Sequence, residues 1–120
     1  LGWEINDSEW TILSVYKQDR FMGYAIVLDE LGKYYPITFM TTINPEFTVN
    51  EVVLMVYREK IGVSVRKNRF LRQFQKKSSQ DSFIVDQDIM GISGATVSSW
   101  AMSSGVKKAL VLTEELTKTL

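Results

Sequence analysis

The sequence contains no cysteine and no histidine. Without thiols it forms no disulfide, holds no Fe–S cluster and lacks the ligands of most zinc sites. Without imidazole it cannot build a His-based catalytic triad. Redox or acid–base chemistry must therefore come from a bound cofactor, or from carboxylates, Lys, Arg or Tyr. The lack of Cys leaves the compartment open. Net charge is missing too, since 14 Lys and Arg balance 14 Asp and Glu. Binding nucleic acid in bulk needs a surplus of cations, so nucleic acid is not an expected partner. No apolar run is long enough to span a bilayer. No charged stretch leads into an apolar one, as a signal peptide requires. The chain opens on Leu1 rather than Met. It is read as a fragment or processed form, with a signal or membrane anchor expected upstream.

What is present suits one domain, residues 1–120, with a single modest core. Residues 10–17 (WTILSVYK) and 21–28 (FMGYAIVL) are rich in β-branched and aromatic side chains and read as strands. Gln18-Asp19 between them reads as a turn, and residues 29–33 (DELGK) as a second. Residues 37–43 (ITFMTTI) and 49–57 (VNEVVLMVY) read as strands three and four, separated by the turn signal Asn44-Pro45-Glu46. Connections this short permit antiparallel pairing and exclude crossover helices. In residues 63–77, Val65, Phe70, Leu71 and Phe74 fall at helical spacing among basic residues. Residues 83–85 are a candidate short strand. A last helix is expected from Thr96 or Val97 to about Lys118, with Val97, Ala101, Gly105, Ala109, Leu112 and Leu116 on its apolar face. The fold class is α+β: an antiparallel sheet with packed helices.

One segment carries a chemical signal by itself. In residues 93–99 (SGATVSS) small residues lead into a helix, and four hydroxyls cluster at its start. A helix start offers free N–H groups and the positive end of the dipole. Gly94 and Ala95 leave that backbone uncovered, so a phosphate can approach it. The competing reading is ordinary N-capping by Ser or Thr.

SGATVSS followed by a small-residue helix resembles the FMN-binding domain family. That domain occurs in the sodium-pumping NADH:quinone oxidoreductase, in the Rnf complex, and in the nitrous-oxide reductase regulators. Three upstream segments extend the resemblance. Tyr34-Tyr35-Pro36-Ile37-Thr38-Phe39-Met40 is similar to the family's Gly-Pro-Ile-rich strand. Val56-Tyr57-Arg58-Glu59-Lys60-Ile61-Gly62 is similar to its strand end and flavin loop, and Arg69-Phe70-Leu71-Arg72-Gln73-Phe74 to the helix that follows. The resemblance implies FMN as cofactor, with Ser93, Gly94, Ala95, Thr96 and Val97 around its phosphate and Tyr57, Arg58, Glu59, Gly62 and Arg66 near the flavin. It also implies that a separate flavin transferase can esterify the FMN phosphate to the last motif threonine, here Thr96. The family usually places an acidic residue three positions before the motif serine. That position is Met90, with Asp86 and Asp88 out of register, so inefficient or absent esterification is expected.

Other features have two readings each. The basic cluster Arg58, Arg66, Lys67, Arg69 and Arg72 is mostly a solvated face, though Arg58 or Arg66 is placed to meet the phosphate or the ring. Glu59 is either a flavin contact or a surface carboxylate. Tyr57 and Phe70 flank the ring or belong to the core. Trp100 is core or edges the flavin, and Trp3 and Trp10 are assigned to packing. The functional expectation is an electron carrier rather than a self-sufficient enzyme, since the flavin would supply the redox chemistry. Its expected partner is a redox protein or membrane complex. By resemblance its place is outside the cytoplasm (periplasmic or cell-surface side), attached to the membrane. The alternative is a flavin-free interaction or sensor module of the same fold.

Overall fold

The computed structural model describes residues 11–58 and 68–117. Four strands, β1 (Ile12–Lys17), β2 (Arg20–Leu31), β3 (Pro36–Ile43) and β4 (Val49–Tyr57), form one sheet in the order β1-β2-β3-β4. Every neighbouring pair is antiparallel. Gln18 and Asp19 both take positive φ between the paired residues Lys17 and Arg20, the conformation of a tight two-residue hairpin. Asn44 closes the β3–β4 turn by donating its backbone N–H to the Thr48 carbonyl and its side-chain amide to the Thr48 hydroxyl.

β2 runs three residues further than expected, to Leu31, into the stretch 29–33 expected as a turn. Asp29, Glu30 and Leu31 pair with Thr38, Ile37 and Pro36. Glu30 faces inward and forms an ion pair with Lys108, which lets an acidic residue sit within a strand. Burial pushes the Glu30 carboxyl above its ordinary pKa, against the opposing pull of Lys108.

A five-residue helix, α1 (Asn68–Arg72), buries Phe70 and Leu71. The helical reading of 63–77 holds in its described part only to Arg72. Beyond it, Lys76 donates to the Val49 carbonyl and Val49 donates to the Lys77 carbonyl, so the backbone there is engaged by the start of β4. No strand forms at 83–85; this stretch carries only an isolated bridge from Val85 to Ile89. The reason is local: the Asp88 carboxylate accepts from the Phe83 and Ile84 N–H groups and from the Ser82 hydroxyl. Lys77 adds an ion pair. This loop uses its backbone donors internally.

The long helix α2 (Thr96–Thr117) crosses β2 and β3. Gly105 sets the approach. A Cβ there would lie 2.4 Å from Phe39 Cζ and 2.6 Å from Glu30 Cγ, so only glycine lets the helix come so near. Phe39, Phe74, Met102, Val106, Leu110 and Leu112 are fully enclosed between sheet and helices. The inward face of α2 includes Gly105, Ala109 and Leu112 as expected, but not Val97, which is 48% exposed. Ser98 and Ser99 are inside in its place. Their hydroxyls have partners there, which offsets the cost of burying them.

Candidate functional site

The site is built where β4 ends and α2 begins. The Tyr57 hydroxyl, at the buried end of β4, shares a 2.9 Å hydrogen bond with the Ser98 hydroxyl in the first turn of α2. Immediately before the helix, the Ala95 N–H donates to the Ile92 carbonyl at 2.9 Å and closes a turn over residues 92–95. Gly94 adopts φ +80°, as the third position of a type II turn requires. The Ala95 carbonyl then accepts from the Ser99 N–H at 2.9 Å. That bond makes Ala95 the N-cap of α2.

This assignment removes the N-capping reading of the SGAT segment. A capping serine or threonine supplies an oxygen to the N–H groups of the first turn. Alanine has none. Among the described residues, the N–H groups of Thr96, Val97 and Ser98 have no hydrogen-bond partner. Thr96 and Val97 lie at the surface, as do Ser93 and Gly94. No acidic residue occupies the first turn to repel an anion. A Cβ built on Gly94 meets nothing within 4 Å, so the space beside the turn is open.

The four hydroxyls of the motif therefore divide. Ser93 and Thr96 are exposed, while Ser98 and Ser99 are buried and engaged within the protein. Ser93, Gly94, Thr96 and Val97 are thus gathered on one small exposed surface, and Ala95 is the buried pivot beneath it. Tyr57 joins this assembly from below, only 7% exposed. Arg58 follows it directly but turns the other way, donating to the Pro36 carbonyl at 2.7 Å and the Thr38 hydroxyl at 3.2 Å. Glu59, Gly62 and Arg66 lie outside the described residues, as do Lys67, Trp3 and Trp10. Phe70 is in the core, edge-on to Phe74. Trp100 is 46% exposed, so it is not a core residue.

Two contributors gave no sequence signal. Gln73 grips the backbone of Met90 from both sides. Its Oε1 accepts from the Met90 N–H at 2.8 Å, and its Nε2 donates to the Met90 carbonyl at 2.9 Å. The Met90 side chain itself is 75% exposed. Ala95 as the cap was equally hidden among neighbouring Ser and Thr.

A family model described as the FMN-binding domain matches residues 32–111, two thirds of the chain. The chain belongs to the FMN-binding domain family. Its cofactor is FMN. The match runs from the β2–β3 connection to near the end of α2 and includes the whole SGAT turn. No curated relative matches the chain. The residues at the turn fit a phosphate: two unpaired N–H groups on exposed residues, Thr96 and Val97, two exposed hydroxyls, and a glycine that leaves room beside them.

Proposed function

We propose that this FMN-binding domain holds the cofactor by its phosphate at the turn over residues 92–95 and the start of α2, and relays electrons for a membrane-associated redox system. The observation that carries the phosphate placement is the uncapped start of α2, opened by an alanine N-cap beside a glycine with free space around it. When bound, flavin supplies the ability to take up and pass on electrons singly or in pairs. The chain's own residues bind and orient. The N–H groups of Thr96 and Val97, with the Ser93 and Thr96 hydroxyls, meet phosphate oxygens, and the α2 dipole favours their charge. Thr96 presents the exposed hydroxyl that a flavin transferase would esterify. Its oxygen would form the new O–P bond as its proton leaves, while the phosphoanhydride bond of a flavin dinucleotide donor breaks and a nucleoside monophosphate departs. With neither Cys nor His, the chain has little equipment for substrate chemistry of its own. A role as a carrier for a redox partner, on the outer side of a membrane, rests on kinship with the family.

Gly94 offers the direct test. Valine there is strained at φ +80° and projects into the open space assigned to the phosphate. FMN titrations monitored by flavin fluorescence should show affinity falling at least about tenfold in Gly94→Val, equivalent to roughly 1.4 kcal/mol. Unchanged affinity would move the phosphate elsewhere. A protein that stays colourless at saturating FMN would favour a flavin-free module.

A further inference from the structure

The turn does not hold its shape by its own backbone alone. Ser99, fully buried one turn into α2, bridges both of its ends. Its hydroxyl donates to the Ala95 carbonyl at 2.8 Å and accepts from the Ile92 N–H at 3.2 Å. With the Ala95 N–H donating to the Ile92 carbonyl, the first and last residues of the turn are joined by two independent routes. One of them passes through this single oxygen.

We propose that Ser99 is a positioning residue for FMN. It touches no part of the phosphate surface, and it fixes the turn whose exposed groups do. The inference rests on the phosphate placement at residues 92–96. Without the Ser99 oxygen the Ile92 N–H loses its acceptor, and around the open Gly94 only the Ala95–Ile92 backbone bond is left to keep the turn closed. A turn that samples several shapes binds its ligand more weakly, because binding must then pay for ordering it.

The structure provides a built-in control. Ser103 is equally buried and also donates to the carbonyl four residues earlier, that of Ser99, at 2.8 Å. It has no bond to the turn. Removing either hydroxyl deletes the same kind of helix-internal bond, but only Ser99 also serves Ile92.

The experiment compares Ser99→Ala, Ser103→Ala and Gly94→Asn by FMN titration, with thermal unfolding and hydrogen exchange at the Ile92 amide in FMN-free protein. Both Ser→Ala variants should lose stability, Ser99→Ala more because it also leaves the part-buried Ile92 N–H unpaired. Ser99→Ala should weaken FMN binding about tenfold, the effect of one lost hydrogen bond, and speed exchange at Ile92. Ser103→Ala should leave both within about twofold, inside the few tenths of a kcal/mol that unrelated substitutions cost. Should Ser99→Ala not fold, Ser99→Cys, which keeps the size but bonds weakly, carries the same comparison. Equal affinity losses at Ser99 and Ser103 would overturn the proposal, as would unchanged affinity in Ser99→Ala when Gly94→Asn weakens binding. If Gly94→Asn also leaves affinity unchanged, the phosphate is not at this turn and the inference falls with that placement.

Discussion

Two neighbouring stretches of this domain treat their backbone donors in opposite ways. In residues 82–89, one carboxylate, Asp88, collects the Phe83 and Ile84 N–H groups, the Ser82 hydroxyl and the Lys77 ammonium. A few residues later, at the start of α2, an alanine takes the capping position, and the N–H groups of the exposed Thr96 and Val97 have no hydrogen-bond partner among the described residues. Both stretches contain positive-φ residues and both precede the same helix. The first is finished by its own side chains. The second is the place proposed for the FMN phosphate, whose charge would complete it. Satisfied donors mark a place that serves the fold.

Breaking the satisfied side should cost the most. Asp88→Ala strands two partly buried N–H groups and removes a charged acceptor, so unfolding free energy should fall by about 3 kcal/mol. The acid limb of stability should change with it. Burial works against ionising Asp88, but the Ile84 and Phe83 N–H groups, Ser82 and Lys77 outweigh it and hold its pKa well below the ordinary carboxylate range. A depressed folded-state pKa stabilises fully above the unfolded value, about 3.9, and the gain is lost as pH falls through the folded value. Melting temperature measured from pH 7 downward should therefore drop in the parent below about pH 4. Asp88→Ala, already weakened at neutral pH, should lack that component. Identical acid limbs in the two proteins would mean that Asp88 is not the clamp.

Completing the open side should do the reverse. Ala95→Ser places a capping oxygen at the start of α2 and should raise stability by about 1 kcal/mol. The same oxygen would compete for the N–H groups offered to the phosphate, so FMN affinity should fall as stability rises. A capped variant that binds FMN as tightly as the parent would show that these donors are not the phosphate's. This opposed pair of changes sharpens the contrast between the two stretches more than either change alone.

The strands were legible because β-branched and aromatic runs alternate with short turn signals, and the antiparallel order follows from connections too short for helices. The end of β2 was not, because Asp29, Glu30 and Leu31 look like loop residues until Lys108 arrives opposite Glu30 from the far end of the chain. The SGAT segment was visible as a helix start with exposed small residues. Its capping residue was not, since Ser93, Thr96 and Ser98 are all chemically able to cap. The choice of Ala95 depends on the Gly94 turn and on the bond that ties Ser98 to Tyr57, 41 positions away in sequence. The inward face of α2 was misplaced at Val97 for the same reason: two serines replace it inside because each has a specific partner. Gln73 left no trace in the sequence, because its grip on Met90 is a backbone contact between segments 17 residues apart.

The smallest effect on the fold is expected at Met90, and there only the chemistry should move. Its side chain is 75% exposed, and its place is set through its backbone by Gln73. Met90→Asp should therefore leave stability within about 0.5 kcal/mol. What it alters is the charge displayed three residues before Ser93, where related domains usually carry an acidic residue. Thr96 already presents an exposed hydroxyl, so the low esterification expected of the parent would reflect recognition by the transferase rather than access. Co-expression with a flavin transferase and intact mass should show little FMN adduct on the parent and a larger covalent fraction on Met90→Asp. Adding Thr96→Ala should remove it. Ser98 and Ser99 cannot take over, because both hydroxyls are buried and bonded to Tyr57, Ala95 and Ile92. Complete FMN addition to the parent sequence would show that Met90 is tolerated. An adduct that survives Thr96→Ala would place the ester on another residue, with Ser93 the remaining exposed hydroxyl of the turn.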